Sequence, residues 1–106
     1  ERVVKLNEAL GWFQAPNNLG FMTIGLLYGE GDFGKSICIA VGMAFDTDCN
    51  GATVGSILGM RGGIDCIDEY WKNPVNGKIH PSIFGVGTVD IETAVNKTLE
   101  HIAEYK

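Results

Sequence analysis

Apolar residues return at helical spacing from the start of the chain. Val3, Val4, Leu6, Ala9, Leu10 and Phe13 predict a first helix of about three turns. Pro16, Asn17 and Asn18 then interrupt the pattern and can cap the next element. From Leu19 to Tyr28 the apolar positions are nearly continuous, and periodicity alone does not separate a buried helix from a buried strand. Few of these residues are β-branched and an Asn precedes them, so the segment is read as helix. Gly29 to Asp32 read as a turn. Asp32 can N-cap a further helix, FGKSICIAVGMA, with Ile37, Ala40, Val41 and Ala44 along one face.

After DTDCN the segment GATVGSILGMRGG carries Gly51, Gly55, Gly59 and Gly63 at four-residue steps. A glycine inside a helix costs about 0.5 to 1 kcal/mol relative to alanine, so a repeated stripe implies that something else needs the space. The expectation is another backbone packed close, with the aspartates at a tightly held helix N-terminus. Residues 64–71, IDCIDEYW, predict one short amphipathic helix. Residues 73–88 hold prolines and NG-type turn signals and read as loop with a short hairpin at most. Asp90 should cap a last helix, whose Ile91, Ala94, Val95, Thr98, Leu99, Ile102 and Ala103 form the cleanest apolar stripe in the chain. The whole predicts an all-α fold, a helical bundle, with no internal repeat, low-complexity tract or linker.

At 106 residues the chain is long enough for one domain with a modest core and too short for two. Its apolar runs, such as FMTIGLLY, fall far short of the ~20 residues of a membrane helix, so no membrane partner is expected. The net charge of −5 and the scattered Lys and Arg argue against nucleic acid. Cys38, Cys49 and Cys66 are odd in number, show no CxxC or Cys/His spacing and follow no secretory leader, which points to a reduced, cytoplasmic chain. The opening ERVVKLNEAL lacks Met and is already helical in pattern, so it reads as a fragment of a longer chain.

Three readings of the polar motifs compete. Asp46, Asp48, Asn50 and Gly51 match the start of a calcium loop, as oxygen ligands alternating toward a glycine. The ninth and twelfth positions are Val54 and Ile57, so too few oxygens remain to close a cage. Gly29, Gly34, Lys35 and Ser36 fit the phosphate-loop pattern letter by letter. Glu30 and Asp32 would then stand where N–H groups must face phosphate, and no hydrophobic strand ending in Asp follows to hold Mg2+. A turn with a helix cap and an exposed Lys35 explains the same residues. In the third reading, Asp46 and Asp48 hold divalent ions from the N-terminal side of the glycine-striped helix; the bland equivalent is a helix N-cap and dipole partner.

The run GEGDFGKSICIAVGMAFDTDCNGATVGSILGMRGG resembles the C-terminal signature of the ADP-ribosylglycohydrolase family, approximately G-x-D-x-D-T-x-x-A-x-x-G-x-x-x-G. Asp46, Asp48, Ala52, Gly55 and Gly59 take the matching places, and the match covers about residues 19 to 62. The resemblance implies an all-α fold with a two-metal centre, magnesium or manganese, that cleaves the glycosidic bond of ADP-ribose-bearing substrates. It makes Asp46 and Asp48 metal ligands. Cys49 stands where the family has a ligating Thr, and a thiol is a soft ligand that Mg2+ does not favour. The remaining ligands and the acid lie in the N-terminal part of the longer family members, which nothing in residues 1–45 resembles. The resemblance therefore implies a C-terminal fragment whose site is completed by residues outside this chain, inactive alone, with its catalytic residues unassigned.

The alternative is a non-catalytic helical assembly module that uses the aspartates as caps. Cys49 is otherwise a small buried side chain rather than a nucleophile, since no His lies near it in sequence. His80 and His101 read as a loop residue and a solvated helix residue, and Asp65, Asp68 and Glu69 as an exposed acidic face. Exposed core faces of a fragment would favour self-association into a homo-oligomer.

Overall fold

A computed structural model describes residues 2–7 and 14–105, and of residues 6 and 7 the backbone only. Among the described residues are six α-helices and a short two-stranded antiparallel ladder, so the all-α expectation holds. The chain divides into two compact units, Glu1–Asp68 and Glu69–Lys106.

The first unit holds α1 (Arg2–Asn7), α2 (Ala15–Tyr28), α3 (Phe33–Gly42), α4 (Thr47–Gly62) and a 3-10 turn (Ile64–Cys66). The expected continuation of the first helix through Ala9, Leu10 and Phe13 lies outside the described residues. The second helix begins earlier than the sequence suggests. Pro16 and both asparagines stand inside its first turn, behind an extended Gln14 at the N-cap. Proline costs nothing there, because the first N–H groups of a helix have no partner inside it.

Phe21, Ala40, Val54 and Leu58 are buried, with Met22, Leu26, Phe33 and Ile37 partly buried against the Ala40, Val54 and Leu58 cluster. The core is thus shared among α2, α3 and α4. Asp32 caps α3 as expected, its side chain accepting from the Lys35 backbone N–H at 2.6 Å.

The closest backbone approach is made by α2, not by the glycine stripe. A Cβ on Gly25 would lie 2.9 Å from the Ser36 carbonyl oxygen and 2.9 Å from the Ala40 Cβ. The stripe on α4 meets side chains instead: Gly51 faces the Val41 methyl at 3.0 Å, and Gly55 faces Ile37 at 3.3 Å. Gly59 only reaches Ile67 at 3.9 Å, and Gly63 is no packing residue at all. With φ +68 it ends α4, its N–H donating to the Gly59 carbonyl at 2.8 Å.

The single helix expected over 64–71 is absent. Ile67 is extended (φ −99, ψ 114), which stops the 3-10 turn, and the next helix starts at Glu69. The Cys66 thiol at the end of the 3-10 turn donates to the Leu58 carbonyl at 3.5 Å.

The second unit holds α5 (Glu69–Lys72), β1 (Lys78–Ile79), β2 (Val89–Asp90) and α6 (Ile91–Glu104). Lys78 pairs with Asp90 and Ile79 with Val89, and the Ile91 N–H donates to the Gly77 carbonyl at 2.9 Å. Asp90 occupies the N-cap position of α6, but its side chain makes no cap bond. α6 itself runs where the stripe predicts, yet none of its residues is buried, and Val95, Leu99 and Ile102 stay 50–57% exposed. Among the described residues no helix is long and apolar enough to cross a membrane.

Candidate functional site

Two of the three sequence motifs dissolve into local structure. At the phosphate-loop match, Lys35 Nζ lies 2.7 Å from Glu30 Oε2, and that ammonium holds the Glu30 carboxyl below its ordinary range. The lysine and the Lys35 N–H are both engaged by carboxylates, and the Ser36 side chain is fully buried. This is the turn with a helix cap, not a phosphate cradle. At the calcium-loop match, α4 already begins at Thr47, so Asp48 and Asn50 lie in helix rather than in a wrapping loop. Residues two apart on a helix do not face each other, and Asn50 is fully buried while Asp48 is exposed.

Asp46 is delivered by an unusual turn. Ala44 and Phe45, neither of them glycine, have φ of 65 and 66. Left-handed backbone at such residues costs on the order of 1 to 3 kcal/mol each and persists only where packing enforces it. Here the Phe45 ring lies on the buried Phe21 ring of α2, with centroids 5.2 Å apart and planes tilted by 34°. Phe21 thus packs against the turn through the Phe45 ring.

The turn places Asp46 at the N-cap of α4, only 8% exposed, but its side chain makes no cap hydrogen bond. It turns to α2, where Asn18 Nδ2 donates to Asp46 Oδ2 at 2.6 Å. That bond is the main reason the Asp46 carboxyl is held below the usual carboxylate range, with the Cys49 thiol a second donor. The hydrogen bond to Asp46, and then its charge, in turn push the Cys49 thiol upward. Asp46, Asp48 and Cys49 bring their ligand atoms within 4.8 Å of one another, the first buried and the other two exposed, so Cys49 is not the buried side chain expected: the first turn of α4 turns it outward. The residues expected as metal ligands therefore do come together, on the first turn of one helix and its cap.

As a donor set the cluster suits a divalent cation in part. Two carboxylates are the hard oxygen donors that Mg2+ or Mn2+ prefers, and the thiol is a softer third. The nearly buried Asp46 carboxylate makes no bond to the N-terminus of its own helix, so its oxygens are not committed to capping. Within the second unit, two positions with ligand chemistry have local partners. His80 Nδ1 lies 3.0 Å from Thr88 Oγ1 in the second unit, and Glu69 pairs with Lys72 at 2.7 Å.

Sequence reasoning missed Asn18. It lies 28 positions before its partner, within a segment read only as a helix breaker, so no local spacing signals the pair. It missed the Ala44–Phe45 turn as well, since neither residue type favours a left-handed backbone.

A family model described as ADP-ribosylglycohydrolase matches residues 1–105. No curated protein and no solved structure matches the chain. The family match runs through the segment that carries Asp46, Asp48 and Cys49 and spans essentially all of the sequence, and by it the chain belongs to the ADP-ribosylglycohydrolase family.

Proposed function

We propose that the protein serves a metal-dependent hydrolase that cleaves the glycosidic bond between ADP-ribose and its acceptor, with Asp46, Asp48 and Cys49 as metal donors. The observation that carries this reading is the conformation of Asp46. It occupies a helix N-cap without capping, is nearly buried, and stands within ligand distance of a second carboxylate and a thiol. A cap would satisfy α4 directly; this carboxylate is turned elsewhere. Family membership supplies the substrate class.

Asp46 and Asp48 would hold magnesium or manganese through carboxylate oxygens. When bound, such an ion supplies Lewis acidity toward substrate oxygens and lowers the pKa of a bound water. It would also let a chain of net charge −5 accept a pyrophosphate. The residues of this chain orient and charge the donor set: Asn18 fixes one oxygen of Asp46 and favours its ionised form, and Phe45 on Phe21 holds the turn that places it. Three donors leave coordination positions of an octahedral ion, which takes about six ligands, to water and to other groups. The general acid or base of the reaction is assigned to no residue here.

The test is release of ADP-ribose from an ADP-ribosylated protein by the full-length protein, with and without Mg2+. Metal-dependent release that Asp46→Ala and Asp48→Ala each abolish supports the reading. Release that persists in chelator, or in both variants, contradicts it. A cytoplasmic setting accords with the three free cysteines, Cys38, Cys49 and Cys66. Self-association is proposed with it, and a monomer by light scattering would count against that. The second reading, a helical assembly module, draws on the exposed apolar face of α6 and differs in expecting no bound metal.

A further inference from the structure

We infer that Asn18 is a positioning residue for Asp46, choosing which carboxylate oxygen is left to meet a metal ion. This rests on the metal reading of Asp46 given above. A carboxylate can only accept, so the Asn18 carboxamide must present Nδ2 to it, and the amide orientation is fixed by the partner. The 2.6 Å bond occupies Asp46 Oδ2 and leaves Oδ1 as the oxygen not taken by Asn18, in a carboxylate that lies within 4.8 Å of the Asp48 and Cys49 ligand atoms.

Helix formation does not explain an asparagine at this position. Gln14 is the N-cap of α2, so Asn18 stands inside the helix, where asparagine is a poor former. Packing does not explain it either. Once Nδ2 faces Asp46, Asn18 Oδ1 is shielded and has no hydrogen-bond partner among the described residues. An unmet buried acceptor opposes folding, so an apolar side chain would serve a purely structural contact better. What asparagine supplies is a short, neutral donor aimed at the carboxylate. An acid there would repel Asp46, and a long basic side chain would neutralise the charge that a cation needs. The bond also ties the start of α2 to the start of α4, so the ligand is held from a second element rather than from its own helix.

The experiment is calorimetric titration of Mn2+ and Mg2+ into the full-length protein, wild type, Asn18→Leu and Asn18→Ala, with thermal melts with and without metal. Leu keeps the branching at the γ-carbon without a donor; if it fails to fold, Ala, which introduces no new contact, carries the test. Loss of a group that orients a metal ligand lowers affinity by about 10- to 100-fold. The variants should show that loss, and the rise in melting temperature that metal gives the wild type should shrink. A merely structural role would lower the metal-free melt and leave both the affinity and the metal-induced rise intact. Wild type that binds Mn2+ alongside variants that bind within twofold of it overturns this inference alone. Wild type that binds neither metal overturns the metal reading, and this inference with it.

Discussion

α4 and α6 make an instructive pair. α4 has glycines, polar residues and no clean periodicity, yet Val54 and Leu58 on it are buried and the candidate site stands on its first turn. α6 has the clearest apolar stripe of the chain, yet buries no residue. The strength of an amphipathic pattern reports how much apolar surface a helix has to cover, not whether this chain covers it. A helix packed on two neighbours at close range needs small residues and loses its stripe; a helix with one face to cover displays it.

The sharpest way to break the comparison is to truncate one anchor of each unit. Phe21→Ala should cost about 3 to 5 kcal/mol in urea denaturation, as a fully buried ring does, and should loosen the Phe45 turn with it. Leu99→Ala, at 57% exposure, should stay within about 0.5 kcal/mol. Equal costs would mean that α6 is buried in solution after all.

Next in size is a contrast within the first unit. Gly25→Ala drives a methyl into the Ser36 carbonyl, a backbone atom that cannot step aside, and should cost about 1 to 3 kcal/mol. Gly51→Ala meets the Val41 methyl, which can turn, and gains helix propensity of about 0.5 to 1 kcal/mol, so its net effect on the melting temperature should be small. A larger cost at Gly51 would restore the glycine stripe as the closest approach.

Smaller still is Ala44→Gly. It relieves a left-handed alanine and should stabilise by about 0.5 to 1 kcal/mol while leaving the Phe45 ring in place. A loss of stability would show that the turn is not strained.

The smallest expected effect concerns pH in metal-free protein. Asp46 is held below its ordinary value, so its contribution is complete above the unfolded carboxyl pKa of about 4 and is lost as pH falls through the lower native value. Cys49 is raised, so its contribution is complete below the unfolded thiol pKa of about 8.5 and is lost as pH rises through the higher native value. Asp46→Ala should flatten both limbs of the melting profile, and Asn18→Ala chiefly the acid limb.

Much of the fold could be read from the residues. Asp32 announces α3, the stripe announces α6, and the turn signals between Asn73 and Thr88 announce irregular chain. The failures share a cause. Pro16 and the asparagines read as a break because a first-turn proline and a mid-helix one look alike in sequence. Asp46, Asp48 and Asn50 read as a loop because alternation suits extended chain, whereas tertiary packing starts the helix at Thr47. The donor cluster was legible because its members are neighbours in sequence. Asn18 was not, because a hydrogen bond between two helices leaves no local trace.

The role of Asp46 and Asp48 as metal ligands is tested most directly by electron paramagnetic resonance of Mn2+ titrated into the full-length protein. Wild type should deplete the free Mn2+ signal, and the Asp46→Ala, Asp48→Ala double variant, folded by circular dichroism, should leave it undiminished. Equal depletion by both proteins, or by neither, would contradict it and return the aspartates to the plain role of a helix N-terminus.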